Sequence, residues 1–398
     1  MCPPYHPPHP PRRTGGGFTL VELLVSMVVL ALILIMLISL TNQTGNIWRS
    51  TSTKIEAFQD ARLAFENMTR NISQATLNTY YEYFDDQGRT PSDTFYKTAT
   101  FTPNSYGRFS ELQFITGLGA TLVPAPDAGG GNYVSKPQGH AVFFQAPLGY
   151  VDPRPASAPA PEVKQMDSQL NAVGYYLEFA SDKRSLPPMI PDSQVTYRYR
   201  LTEFIQPTEN LQVYSEPWTS RSAYGQSQWF ATPLKSQNAR ATHVMAQNVV
   251  ALVIRPKRAD TEEAAMQASG AVTPLCKDYR YDSHPYTTTN KVDPTATLQT
   301  HQLPPLVGVT LIAIDEASAK RLAASNGTNP PLASLSSPGG RKLSELFAQT
   351  AVSTSDTATQ PNYQDDLQEF VGGLTAAKLN YRVFDTEIII RNSKWTEK

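Results

Sequence analysis

The hydrophobic pattern divides the chain in two near residue 79. From Leu23 to Leu40 only Ser26 and Ser39 are polar, and no charge occurs between Glu22 and Arg49. Counted from Phe18, these 23 residues would form a helix about 35 Å long. A hydrocarbon core is roughly 30 Å thick, so the pattern predicts a membrane-spanning helix over 18–40. The next six residues, TNQTGN at 41–46, hold Gly45 and no strong helix former, which predicts a weak point or hinge. Beyond it, Ile55, Phe58, Ala61, Phe65, Met68, Ile72 and Ala75 recur at steps of three and four. That spacing puts them on one helical face, so an amphipathic helix is expected over 41–78.

From 79 to 398 the period changes to two. In VTYRYRL, 195–201, Val195, Tyr197, Tyr199 and Leu201 alternate with Thr196, Arg198 and Arg200, the pattern of a half-buried strand. Similar runs occur at 111–116, 141–146, 172–180, 248–255, 306–314 and 381–392. A short helix is expected from Glu316 to Ala324 with Asp315 as its N-cap. VDPRPASAPAPE at 151–162, the glycine cluster at 127–132 and SNGTNPPLASLSSPGG at 325–340 read as loops or disordered insertions. The expected class is α+β: a long N-terminal helix packed on an antiparallel, β-rich head. The head is either one unit enlarged by insertions or two small sheets sharing a core.

Composition sets the compartment and excludes some functions. Arg12 and Arg13 precede the apolar run with no acid among the first 17 residues, whereas Arg49, Lys54, Glu56, Asp60 and Arg62 beyond it mix both signs. The positive-inside bias therefore places the amino end in the cytoplasm and the head outside. An ordinary secretory signal fits poorly, because the core is too long and LISLTNQTG has no small-x-small cleavage pattern. The charge at Glu22 needs its own explanation. A carboxylate in a first helical turn gains roughly 0.3 to 1 kcal/mol from the helix dipole, less than the cost of about 2.5 to 3.5 kcal/mol for a charge buried in the membrane. A cation must supply the difference. Cleavage between Gly17 and Phe18 would create an amine four residues ahead of Glu22, and pairing with the amine of a neighbouring copy would make the charge an assembly register.

GFTLVELLV at 17–25, with the basic pair ahead of it and the apolar helix after it, resembles the amino-terminal motif of type IV prepilins. The resemblance implies a prepilin peptidase that removes the leader 1–17 by cutting after Gly17, N-methylation of Phe18, and recruitment of subunits into a filament by Glu22. It also implies other pilin-like subunits as partners. The implied location is the bacterial inner membrane, single-pass, followed by a cell-envelope filament. The proline-rich MCPPYHPPHPP is a departure from that leader pattern, so recognition is expected to depend on the stretch from Arg12 onward.

No reactive constellation stands out. His140, His243, His284 and His301 lie in unlike contexts, without H-E-x-x-H or a cysteine pair at zinc spacing. G-x-S-x-G and the P-loop are missing, and GLGATL at 117–122 lacks the third glycine of a dinucleotide fingerprint. DYRYDSH at 278–284 and the pair Asp365 and Asp366 are acidic but do not match a calcium loop. Neither an enzyme, a cofactor nor a metal is therefore expected. The basic cluster RPKR, 255–258, reads as a solvated strand end. Loss of Arg12 and Arg13 takes the formal charge from −1 to −3, so nucleic-acid binding is not expected.

With 398 residues, and Cys276 as the only cysteine outside the leader, the chain differs from small, disulfide-closed major pilins. Its layout is similar to a minor pseudopilin of the J type of type II secretion; the K type usually lacks the acid that Glu22 supplies. HVMAQNVVALVIRPKR, LPPLVGVTLIAID and YRVFDTEIIIRNSKW resemble the prepilin-like protein C of the Verru_Chthon cassette. The alternatives are a filament-tip adhesin or DNA or surface receptor, and a membrane-anchored exported enzyme.

Overall fold

A computed structural model describes residues 19–86, 89–92, 94–125, 135–151, 168–183, 187, 189, 191, 195–215, 227–235, 241–258, 275, 279–284, 299–326, 328–348 and 363–394, with the backbone alone at 46–57, 94–95, 215 and 324–326. The chain forms two compact units, 1–56 and 57–398.

Helix α1 is continuous from Leu20 to Ser73. The expected hinge at 41–46 is helical. Thr41 Oγ1 donates back to the Leu37 carbonyl at 2.8 Å, and one interior glycine costs only about 1 kcal/mol within a helix 54 residues long. The expected end at Asn78 moves back to Ser73 because the last turn tightens. Gln74 N–H donates to Asn71 O and Ala75 N–H to Ile72 O, and Thr76 N–H then bonds Gln145 O at 2.9 Å, turning the chain onto the head.

The head contains strands β1 (Tyr80–Phe84), β2 (Ser105–Phe109) and β3 (Ile115–Leu118), the single turn α2 (Gly119–Leu122), and the long strands β4 (Ser135–Pro147), β5 (Leu170–Ser181) and β6 (Tyr197–Gln206). Helix α3 (Gln228–Lys235), β7 (Thr242–Gln247), β8 (Val249–Lys257), β9 (Tyr281–Asp282) and β10 (Leu306–Ile314) follow. Then come α4 (Glu316–Asn326), α5 (Tyr363–Ala376) and β11 (Tyr381–Ile389). All pairings are antiparallel: a six-stranded sheet β7-β6-β5-β4-β3-β9, a three-stranded sheet β11-β10-β8, and the ribbon β1-β2.

Two small sheets sharing a core is the arrangement found. Phe144, Tyr175 and Leu201 of the six-stranded sheet, Leu252, Ile254, Val309 and Leu311 of the three-stranded sheet, and Ala61, Phe65, Met68 and Ile72 of α1 form one buried cluster. Each such large side chain contributes about 1.5 to 3 kcal/mol by leaving water. The expected helical stripe is therefore core-facing, with Phe58 partly buried at its lower end; the side chain of Ile55 lies outside the described residues. Asn71 Nδ2 donates to Tyr175 Oη, which donates to Glu203 Oε1, both at 2.8 Å. Burial raises the pKa of Glu203.

The far face of the three-stranded sheet is also covered. Ala251, Val253, Ile312 and Ile314 pack with Leu322, Phe370 and Leu374 of α4 and α5. Burial on both faces explains why β8 and β10 read as continuous apolar runs. On the opposite face of the six-stranded sheet, Phe143 stacks on Phe230 of α3 at 4.1 Å and 5°.

Several expectations change under this packing. Strand β6 is not half-buried: Arg200 is buried beside Tyr199 and Leu201, with its Nη1 donating to Ser181 O at 3.0 Å. Asp315 does cap α4, accepting Ser318 N–H at 2.8 Å. The described residues of 328–340 form an ordered loop, within the expectation for that stretch, with a 3-10 turn over Pro331–Ser334 and Leu332 buried in one cluster with Leu322 of α4. Of the expected run 111–116 only Ile115 and Thr116 are strand, as the start of β3. The glycine cluster at 127–132 and residues 152–162 lie outside the described residues.

Candidate functional site at the amino end

The described chain begins one residue before the helix, and that residue shapes the site. Thr19 Oγ1 accepts the backbone N–H of Glu22 at 3.3 Å, and its carbonyl accepts Leu23 N–H at 3.2 Å. Thr19 is thus the N-cap, satisfying one of the four amide donors that a helix start leaves open. Glu22 is the third helical residue and sits in the first turn. Among the described residues its carboxylate has no hydrogen-bonding or ionic partner. Thr-x-x-Glu is the spacing of a capping box, a signal readable in the sequence that the pilin-type reading of Glu22 passes over. Only the threonine half of the box is closed here.

Above the cap, Leu20–Gly45 is apolar and entirely unburied, and among the described residues it is the one helix long and apolar enough to cross a membrane. Its 26 residues correspond to about 39 Å. Leu20 is 77% exposed and Met36 68%, and the leucines, valines and isoleucines between them are also open. A continuous apolar surface of that length requires lipid or other helices around it. The span fits a single-pass membrane anchor.

The expected cleavage and methylation residues, Gly17 and Phe18, lie outside the described residues together with Arg12 and Arg13. Glu22 is the member of the expected set that the structure places, and it lies on exposed helix.

Several of the remaining candidates have structural roles, whereas His243 and Asp365 lie exposed. His140 is fully buried: its Nδ1 accepts Ile254 N–H at 2.9 Å and its Nε2 bonds Phe347 O at 2.9 Å. Burial lowers its pKa to about 4, so the ring is a neutral link between β4, β8 and the segment before α5. His284 Nε2 bonds Ser110 O at 2.9 Å, and burial lowers the pKa of His301 to about 3. Asp366 accepts Phe347 N–H at 3.0 Å and pairs with Arg341 at 2.6 Å. Asp282 accepts from Gln113 Nε2 and His284 N–H. Among the described residues no group of three or more His, Cys, Asp or Glu side chains could hold a metal ion.

RPKR is not a solvated strand end. Arg255 lies 3.4 Å over the Tyr363 ring and 3.8 Å from Asp385. Lys257 pairs with Glu387 at 2.5 Å, and Arg258 is buried. Two acids of β11, which lies across β10 in the three-stranded sheet, thus face Arg255 and Lys257. The spacing of RPKR in sequence gave no hint of partners more than 120 residues away.

Residues 12–38 match the prokaryotic N-terminal methylation motif. Comparison with curated proteins and with solved structures returned no match. The motif, the apolar helix and the antiparallel sheets support a pilin- or pseudopilin-type protein of a type IV pilus or type II secretion system. Such a motif implies processing by a prepilin peptidase and assembly with other pilin subunits, and it marks a structural subunit rather than an enzyme family.

Proposed function

We propose that the chain is a minor pseudopilin or prepilin-type subunit. Its leader 1–17 is removed, Phe18 carries the methylated amine, and residues 18–40 cross the inner membrane with the amino end in the cytoplasm. The segment up to about residue 78 forms the stalk, and 79–398 forms an extracytoplasmic head. The subunit joins an envelope-spanning filament or its tip complex. The size of the head and the single cysteine outside the leader favour a minor subunit, of the J type or the cassette protein C type.

One observation carries this reading. An isolated carboxylate, Glu22, stands in the first turn of a fully exposed, lipid-length helix and has no partner in its own chain among the described residues. A charge in that position is tolerated at the lipid edge when a cation from outside meets it, and the new amine of a neighbouring subunit has the right sign and depth. The helix supplies the apolar core along which subunits pack. The pairing of Arg255 and Lys257 with β11 acids, and the burial of Arg258, weigh against a DNA-receptor reading.

The test is Glu22→Ala and Glu22→Gln in the full chain, with membrane insertion checked by extraction and association read by pull-down of co-produced pilin-like heads. Loss of association with insertion intact is expected. Unchanged association contradicts the pairing.

A further inference from the structure

We infer that the free edge of β11 is a docking site for an extended strand from the head of another pilin-like subunit, which joins the three-stranded sheet as a fourth strand. The inference rests on the assembly reading proposed above and adds to it the surface and the chemistry of a contact between heads.

Strand β11 is an outer strand of the sheet β11-β10-β8, and its register fixes which backbone groups are open. Two bonds flank the ladder, Asp315 N–H to Asn380 O and Ile390 N–H to Pro305 O. Both continue the register in which Leu306 faces Ile389 and Ile314 faces Tyr381. In an antiparallel pair, positions that exchange hydrogen bonds alternate with positions that do not. Arg382, Phe384, Thr386 and Ile388 therefore turn their N–H and C=O groups toward β10. Tyr381, Val383, Asp385, Glu387 and Ile389 turn theirs outward, and no described residue bonds to those groups.

Other sheet edges in the head are short, irregular or covered, the devices by which a fold keeps foreign strands away. Strand β9 has two residues, and β7 has six with a register shift against β6. At the β8 edge of the same sheet, His140 takes the Ile254 N–H. By contrast β11 has nine residues without proline or glycine, in unbroken register with β10. Its acids do not guard the edge, because they lean inward across the sheet. Asp385 accepts from Thr310 Oγ1 of β10 at 2.6 Å, and Asp385 and Glu387 face Arg255 and Lys257 of β8. Ile389 stands 70% exposed at the end of the strand.

A row of unpaired N–H and C=O groups is matched by one kind of ligand, another extended backbone. Full-length antiparallel pairing with β11 of a second copy would set Asp385 opposite Asp385, and like charges directly opposite are destabilising. The strand that fits comes from a different chain, with uncharged side chains beside the acids and apolar ones beside Val383 and Ile389. Its source follows from the place of the edge. Phe384 of β11 packs on Phe65 of α1 with ring centroids 5.8 Å apart, so the strand runs beside the helix along which, on the proposed reading, neighbouring subunits pack.

The experiment compares the full chain in detergent, alone and co-purified with co-produced pilin-like subunits, by site-resolved hydrogen exchange. Amides of Arg382, Phe384, Thr386 and Ile388 are expected to be protected in both samples. Those of Val383, Asp385, Glu387 and Ile389 are expected to exchange freely in the chain alone and to slow by about ten-fold or more in the complex. Val383→Pro with Ile389→Pro removes two outward N–H groups and no ladder bond, whereas Val383→Thr with Ile389→Thr keeps both. The proline pair is expected to lower recovery of partner heads by about ten-fold, and the threonine pair to stay within about two-fold of the parent. The inference is overturned if the outward amides exchange equally in both samples, or if a folded proline pair recovers heads like the parent. It also falls if those amides are already slow in the chain alone, since a second copy or the chain itself then covers the edge. Where the proline pair does not fold, the exchange measurement on the parent decides. Failure of the two readings is separable: loss of association in Glu22→Gln with unprotected outward amides in the parent complex removes the edge contact alone. Normal association in Glu22→Gln with protected outward amides removes the amine–carboxylate pairing alone, and a parent that recovers no pilin-like head removes both.

Discussion

The backbone N–H of Arg391 donates to the carbonyl of Ser73 at 3.1 Å, so the segment after the last strand caps the last turn of the long helix. The next residue extends the clasp: Asn392 Nδ2 reaches Gln74 O at 3.5 Å and Ala75 O at 3.2 Å. Carbonyls that a helix end leaves open are thereby satisfied by residues more than 300 positions away. Asn392→Ala should destabilise the head by about 1 kcal/mol with membrane insertion unchanged. Urea unfolding of the detergent-solubilised chain, followed by tryptophan fluorescence, checks this.

A second prediction concerns packing between β4 and β5. A Cβ added at Gly174 would sit 2.1 Å from Cδ1 of Phe143, and Phe143 has no room to retreat because it stacks on Phe230. Gly174→Ala should cost about 1 to 3 kcal/mol or more, read as a lowered midpoint in the same unfolding experiment. A wild-type midpoint would show that the aromatic layer over this face is looser than the structure indicates.

The buried histidines predict an acid dependence. Burial lowers the pKa of His140 from the ordinary 6.5 to about 4. The unfolded chain therefore takes up a proton at a pH where the folded chain does not. The stabilisation by neutral His140 is full above pH about 6.5 and is lost as pH falls through about 4. The His140 share is roughly 3 kcal/mol. His301, lowered to about 3 by burial, acts in the same direction over a slightly wider window. His140→Gln should be less stable at neutral pH and lose less stability than the parent between pH 6.5 and 4. Equal slopes in the two proteins would count against a neutral, buried ring.

Electrostatics of the RPKR cluster lead to a fourth prediction. Arg255 and Lys257 face Asp385 and Glu387, so the potential over this strand is not that of three open cations. Labelled duplex DNA should show no salt-sensitive retention by the full chain, and Arg255→Ala should lower head stability through loss of the Tyr363 contact. A shift that disappears on replacing Arg255 and Lys257 would reopen the nucleic-acid reading.

The legible features were those set by local periodicity. The apolar run and the stripe Ala61, Phe65, Met68 and Ile72 carry a helical period, and β10 was readable to the residue because nine consecutive apolar or small positions have no other stable use in this head. Asp315 was readable as a cap because it immediately precedes a helical run. Besides the single turn α2, the helices α3 and α5 were not foreseen: α3 contains Pro233 and α5 contains Gly372 and Gly373, so propensity argued against both. Their formation is driven by tertiary burial of Trp229 and Phe230 in one and Phe370 and Leu374 in the other. The burial of Arg200 was hidden for a related reason, since what covers the second face of a strand is set by segments distant in sequence. At the amino end, Glu22 stood out because charge is rare beside such a run, whereas Thr19 looked like an ordinary polar residue until its oxygen was placed on the Glu22 amide.

The central claim is that a peptidase frees the Phe18 amine, which then pairs with Glu22 of another subunit. Mass spectrometry of the mature amino terminus, on protein from cells with an active prepilin peptidase, tests it most directly. The account predicts a chain beginning at N-methylated Phe18. A chain still beginning at Met1 in those cells would contradict it.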